Sequence, residues 1–195
     1  MEKFREALSG FISDLYEDEK KVLVFGEGAV GARVMLIGEA PGEQESLQGR
    51  PFVGKAGKNL DAFLKDVNID RSELYVTNTV KLRPIRISDA GRIVNRPPSQ
   101  EEVKIFLPWL LQEIDLVNPQ MIVTLGNVPL KALTDRKNVI GDFHGRFVPW
   151  QNRMLFPMYH PASVIYNPVL RDVYQADILR LSDWASGCRT NLHSE

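Results

Sequence analysis

Glu39, Asn78 and His160 offer a carboxylate, an amide and an imidazole, and each stands at the end of a short apolar run. The runs are Val34-Met35-Leu36-Ile37, Leu74-Tyr75-Val76-Thr77 and Met154-Leu155-Phe156-Pro157-Met158. A fourth, Met121-Ile122-Val123-Thr124-Leu125, ends on Gly126. If all four are strands of one parallel sheet, their C-terminal ends share an edge, and that edge is where open α/β sheets bind ligands. The polar groups then converge as an active site requires. The loop Gly38-Glu39-Ala40-Pro41-Gly42 adds to this. Gly and Pro force a sharp turn, and glycine lets backbone N–H groups approach a ligand closely. Two more acids, Glu43 and Glu45, follow.

The elements that must position these residues are legible from periodicity. Residues 1 to about 20 form an amphipathic helix, with Phe4, Leu8, Phe11, Ile12 and Leu15 at helical spacing. Val22 to Phe25 is a short extended segment. Gly26 to Gly31 has the GxGxxG spacing of a dinucleotide fingerprint. That fingerprint needs its third glycine to open a helix. Here a strand-like run starts at Arg33, so the segment is a turn leading into the first core strand.

Lys55 to Val67 is a helix with Leu60, Phe63 and Leu64 on one face. Residues 81 to 98 form a long Arg/Pro loop. Ser99 caps the next helix, and Glu102 completes a capping box; this helix runs to about Val117. Pro129 and Leu130 open a short helix ending near Thr134. Gly141 to Trp150 contains a small hairpin, Pro157 threatens the end of the last strand, and residues 168 to 186 make a final helix. Helical stretches between core strands are the signature of a parallel sheet with crossovers. With no repeat or linker, residues 1 to 195 read as a single α/β domain.

The formal net charge is −1, which does not advertise nucleic-acid binding. The average conceals a basic segment. Lys81, Arg83, Arg86, Arg92 and Arg96 are opposed only by Asp89. Such a cluster is either a solvated loop or a phosphate-facing one. Cys188 is the only cysteine, so an intramolecular disulfide and a four-thiolate metal site are excluded. His144, His160 and His193 have no metal-ligand spacing among themselves. No apolar run is long enough to span a bilayer, and no signal-peptide core opens the chain. A cytoplasmic monomer without membrane contact is the expectation.

The stretch from Gly38 to Leu60, GEAPGEQESLQGRPFVGKAGKNL, resembles the first motif of the family 4 uracil-DNA glycosylases. Further blocks resemble that family in the family's order. They are Val24-Phe25-Gly26-Glu27-Gly28, Tyr75 to Lys81, Arg96-Pro97-Pro98, Ile122 to Gly126 and Tyr159-His160-Pro161-Ala162. The resemblance implies a three-layer α/β sandwich with a central four-stranded parallel sheet flanked by helices. It also implies an enzyme of base-excision DNA repair. Such an enzyme flips uracil out of DNA, because its target atoms are hidden in the duplex, and hydrolyses the N-glycosidic bond.

On this resemblance Ala40, Gly42, Phe52 and Asn78 bind the base. Phe52 stacks on it from an exposed loop position. Asn78 reads the edge of uracil, since its amide both donates and accepts. His160 donates a hydrogen bond to O2 as negative charge develops there. Family 4 has Ala where better-known relatives carry a carboxylate, and Ala40 occupies that position. Glu39, and after it Glu45, are then the carboxylates available to position water or face the cationic sugar. Lys81, Arg83, Arg86 and Arg92 would hold phosphates, and Ile165 or Tyr166 would wedge into the vacated stack.

The chain also departs from the family. Most members carry a four-iron, four-sulfur cluster on four cysteines. Two of the matching positions fall on Leu82 and near Phe106, and the N-terminal pair has no counterpart. No cofactor is therefore expected, and apolar packing of Leu82, Phe106 and the N-terminal helix would fill the volume. A crosslinking branch has Gln in place of Ala40 and uses a histidine loop; residues 81 to 98 contain no His. Three functions stay open at this point. They are a monofunctional uracil-DNA glycosylase, a relative preferring hypoxanthine or a damaged pyrimidine, and a non-catalytic DNA-binding relative.

Overall fold

The computed structural model describes residues 1–17 and 21–190. Four strands form its centre: β1 (Val34–Gly38), β2 (Leu74–Asn78), β5 (Met121–Leu125) and β7 (Arg153–Met158). They run parallel in the order β2-β1-β5-β7. Every residue of β1, β2 and β5 is buried, as expected when helices cover both faces of a parallel sheet. The four-stranded expectation is met and extended. A fifth strand, β6 (Val148–Trp150), pairs antiparallel with β7 through a tight turn and closes that edge. Pro157 lies beyond the reach of β6, and its carbonyl accepts from the Gly145 N–H at 2.9 Å.

Alternation along each strand splits the core in two. Val34, Leu36, Val76, Val123 and Phe156 face one side. There they meet α3 (Lys55–Asp66), α7 (Pro161–Tyr166) and α8 (Leu170–Thr190). Met35, Ile37, Tyr75 and Ile122 face the other side and meet Leu110, Ile114 and Val117 of α4 (Gln100–Val117). The remaining helices are α1 (Glu2–Leu15), α2 (Glu43–Gln48), α5 (Asn127–Leu133) and α6 (Ile140–Phe143). Ser99 caps α4 through the expected box with Glu102.

Several local expectations need correction. Helix α1 stops at Leu15, and residues 18–20 lie outside those described, as does His193. Val22 to Phe25, expected as a short extended segment, joins no strand of the sheet. It lies along the outer edge of β2, with Val24 N–H donating to the Lys81 carbonyl and Glu27 bridging Val76. Gly28 is needed there because a Cβ would overlap the Leu74 carbonyl. Gly31, the last glycine of the false fingerprint, leads straight to β1 with no intervening helix, as expected. Helix α2, between the Gly38–Gly42 loop and α3, is not among the sequence expectations. Residues 81–98 contain a hairpin of β3 (Ile85–Ile87) and β4 (Ile93–Asn95), which pairs Ile87 with Ile93.

A third cluster lies beyond the end of β2. Phe4, Leu8 and Ile12 of α1 pack with Val80 and Phe106, and Leu82, Phe25 and Trp109 lie against them. Phe4 and Phe11 both touch the Trp109 ring, with centroids 6.0 and 5.4 Å away.

Beside this cluster the chain buries an ion pair. Lys81 and Glu113 are both fully enclosed, with Nζ 2.6 Å from Oε2. The same ammonium donates to Thr77 Oγ1 and to the Asn78 carbonyl, each at 2.6 Å. Glu113 also accepts from Tyr75 and Thr77 hydroxyls. Lys81 therefore cannot bind phosphate, contrary to the sequence expectation; it fixes the backbone of Asn78. Burial pulls its pKa down, and Glu113 opposes that shift.

Removing one partner of such a pair leaves an uncompensated buried charge. Lys81→Met is expected to cost about 3–5 kcal/mol of unfolding free energy in urea at neutral pH. Combining it with Glu113→Leu should restore most of the loss. A double variant no more stable than the single one would show that the charge is not the cause.

Candidate active site

Parallel pairing sets Gly38 directly opposite Asn78 at the sheet's edge. The site is built around this level pair. A Cβ at position 38 would overlap Asn78 Oδ1 and come within 2.5 Å of the Phe52 ring. Glycine is thus required where the amide and the ring close over the strand end. Asn78 is 3% exposed, and among the described residues no protein hydrogen bond occupies its side-chain amide. Buried polar groups are nearly always paired, which makes this free amide a candidate ligand contact.

Phe52 differs from the sequence expectation of an exposed ring. It is 5% exposed and belongs to the core cluster under α3. Its φ of 55° is left-handed, a strained conformation for a bulky side chain. Arg71 restrains it, donating to the carbonyls of Phe52 at 3.1 Å and Pro51 at 2.8 Å while pairing with Asp61. Gly57 lets the loop seat on α3, because a Cβ there would strike the Phe52 carbonyl. The Phe52 ring lies 6.0 Å from the His160 ring at 29°.

The two candidate carboxylates separate cleanly. Glu45 is buried, and its oxygens accept from three backbone N–H groups: Gly42 at 3.2 Å, Val53 at 3.1 Å and Gly54 at 2.8 Å. It staples the Gly42 loop to the Phe52 loop, and the backbone takes three of its roughly four acceptor sites, so its first role is structural rather than the expected one of holding water. The Gly42 N–H is engaged by the same contact, so it cannot donate to a base. Ala40 packs its methyl group against the third cluster. Glu39 is half-buried at the end of β1, with no hydrogen bond or ion pair to its carboxylate among the described residues. Burial raises its pKa.

His160 follows β7 and caps α7. Its Nδ1 accepts from the Ala162 N–H at 3.1 Å, so in the neutral ring the proton is on Nε2. Burial pushes its pKa down to about 4, against a smaller opposing effect of Glu45. The neutral ring therefore keeps an Nε2–H donor, with the Phe52 ring beside it. Gly126, at φ 92°, leaves room for it, since a Cβ would lie 3.3 Å from the His160 Cβ. Asn59 of α3 ties down α7 through the Pro161 carbonyl at 2.8 Å.

The basic residues are dispersed. Arg83 donates to Asn95 at 2.7 Å and reaches Glu43 at 3.4 Å. Arg96 is held by both oxygens of Glu102. Arg86 and Arg92 remain exposed on the β3–β4 hairpin. Ile165 and Tyr166 project from α7, 44% and 87% exposed, as a wedge would. Sequence reasoning missed Arg71, Gly57 and Glu113. Only Gly57 left a trace, as a glycine inside a helical pattern. Among the described residues no group of three or more His, Cys, Asp or Glu is placed to hold a metal.

Residues 25–180 match the model of the Uracil DNA glycosylase superfamily. The Type-4 uracil-DNA glycosylase of Saccharolobus solfataricus is 36% identical over 173 residues, covering 84% of this chain and 76% of that protein. The enzyme of the same name from Pyrobaculum aerophilum is 38% identical over 169 residues, covering 82% and 81%. In fold, the chain resembles the crystal structure of SMUG2 from Pedobacter heparinus. The TM-score is 0.55 at 13% identity, with 96% of this chain and 85% of that one covered.

The His160 geometry has a direct test. Its ring should titrate near pH 4 by NMR, while an unfolded-chain histidine titrates near 6.5. Because the folded value is the lower one, the unfolded chain binds the extra proton first as pH falls. The stability carried by neutral His160 should be complete above about pH 6.5 and lost as pH falls through about 4. His160→Gln should flatten stability over that window. A midpoint near 6.5 would mean that the ring is neither enclosed nor held as described.

Proposed function

This chain belongs to the uracil DNA glycosylase superfamily, and from that premise we propose how its residues release uracil from DNA. It acts as a uracil-DNA glycosylase in base-excision repair, hydrolysing the N-glycosidic bond and leaving an abasic site. The observation that carries the residue roles is the buried, unpartnered amide of Asn78, closing with Phe52 over a glycine that admits no side chain.

The base must leave the duplex to reach this crevice. Phe52 gives the flipped ring a stacking face. Asn78 both donates and accepts, which suits the N3–H and O4 edge of uracil and opposes the reversed pattern of cytosine. His160 donates from Nε2 to O2. Negative charge grows on the departing base, so this bond strengthens toward the transition state and accelerates cleavage. A neutral donor also avoids the desolvation cost of a buried imidazolium. Glu39 positions the attacking water or faces the cationic sugar. It is the carboxylate near the crevice whose oxygens are not already taken by the backbone.

The reaction stops at the abasic site. Lys81, the lysine nearest to Asn78 in sequence, is sealed against Glu113 and cannot attack the sugar as an amine. Where most family 4 members hold an iron–sulfur cluster, the residues here do not fit one. Leu82 and Phe106 supply no thiolate and pack with α1. No step is routed through a cluster. No helix among the described residues is long and apolar enough to cross a membrane. One cysteine in 195 residues suits a reducing compartment, and we place the enzyme in the cytoplasm as a monomer.

Oligonucleotides containing uracil, hypoxanthine or thymine, treated with alkali after incubation, test the reading. Cleavage is expected at uracil, and only after the alkali. Phe52→Ala should weaken capture of the base by about 1–3 kcal/mol. His160→Ala should slow the single-turnover rate by about 10²–10³, and Asn78→Asp should erode discrimination against cytosine. Absence of uracil release across salt conditions, or parental rates in all three variants, would overturn the assignment.

A further inference from the structure

A DNA enzyme must hold phosphates beside its pocket, yet most cations of the 81–96 segment are committed elsewhere. Lys81 is sealed, Arg96 is clamped by Glu102, and Arg83 is tied to Asn95 and Glu43. That leaves Arg86 and Arg92. A second basic surface lies between α4 and α5. A groove of about 360 Å³ is lined there by Gln100, Lys104, Val128, Lys131 and Arg136 among others, and by no acidic residue. None of the three cations forms an ion pair among the described residues. The nearest acids are engaged or lie outside the lining. Glu102 binds Arg96 and the Ser99 N–H, Asp135 accepts from the Lys137 N–H, and Glu101 is exposed outside the lining.

Topology puts this groove on the working edge of the sheet. Helix α4 connects two parallel strands, so it runs back against them and its first turn sits where the strands finish. Helix α5 opens at Gly126, which lies against His160. Arg136, just past α5, reaches Gln100 in the first turn of α4 at 3.4 Å and joins the two walls. Three cations spread over two helices make an open strip, and a strip of positive charge fits a row of phosphates.

We propose that the α4–α5 groove is a second phosphate track, in which Lys104, Lys131 and Arg136 hold the DNA backbone beside the pocket. The inference rests on the glycosylase reading above, and its test separates the two. The probe is undamaged duplex DNA, titrated with enzyme over a range of salt. Replacing all three cations by Ala should lower the magnitude of the log–log salt slope by about 2–3, since each phosphate released from the protein removes roughly 0.7–0.9. Lys65→Ala, at the far end of α3, should leave the slope unchanged. Lys104→Glu should weaken binding more than Lys104→Ala. A triple variant with the parental slope overturns the track, whatever the parent does to uracil. If the parent releases no uracil while the slope falls as stated, the track stands and the glycosylase reading fails.

Discussion

Parallel pairing makes four strand ends finish level, and the site depends on that alignment. Gly38 faces Asn78, and Leu125 faces Met158. Backbone bonds carry the pairing just past the strands, from the Thr79 N–H to the Gly38 carbonyl and from the Gly126 N–H to the Met158 carbonyl, so Glu39, Asn78 and His160 share one edge of the sheet. A shift of one residue in β1 would turn its side chains to the opposite face. It would also replace Gly38 with a residue whose Cβ fills the space between amide and ring. The fold therefore constrains the chemistry through register more than through any single contact.

Buried polar groups then hold what the register has aligned. Three glutamates lie close to the strand ends in sequence or space, and their hydrogen-bond partners decide their fates. Glu45 is consumed by three N–H groups and joins two loops. Glu113 is consumed by Lys81, Tyr75 and Thr77, and through Lys81 it steadies the carbonyl of Asn78. Glu39 has no such partner. Neutral His160 follows the same logic, because accepting from Ala162 leaves one proton, and that proton is on the ring nitrogen free to meet a ligand.

Much of this was legible beforehand, for physical reasons. Strands buried on both faces read as unbroken apolar runs, so their ends, with Glu39, Asn78 and His160, could be located. The capping box at Ser99 depends on two residue types at fixed spacing. What stayed hidden involves partners distant in sequence. Nothing local reveals that Lys81 is enclosed, since Glu113 lies 32 positions away and charged side chains are seldom buried. The left-handed Phe52 depends on Arg71 and Gly57 from outside its loop. The β3–β4 hairpin did leave a signal. Ile85-Arg86-Ile87 and Ile93-Val94-Asn95 flank a turn ending in Gly91, but the arginines and prolines drew attention to charge instead.

Helix α1 and the third cluster bear on the conditions under which the protein keeps its shape. The end of β2 rests on Phe4, Leu8, Ile12 and Phe106, which are hydrocarbon side chains. Hydrocarbon is not extracted by a chelator and is not dismantled by peroxide, as a metal–sulfur centre would be. This support depends on temperature as hydrophobic contact does, weakening on cooling, and is indifferent to iron supply. It also involves the first residues of the chain, where Met1 approaches the Tyr75 hydroxyl at 3.8 Å. An extension fused at that terminus would abut the element that steadies β2, the strand carrying Asn78.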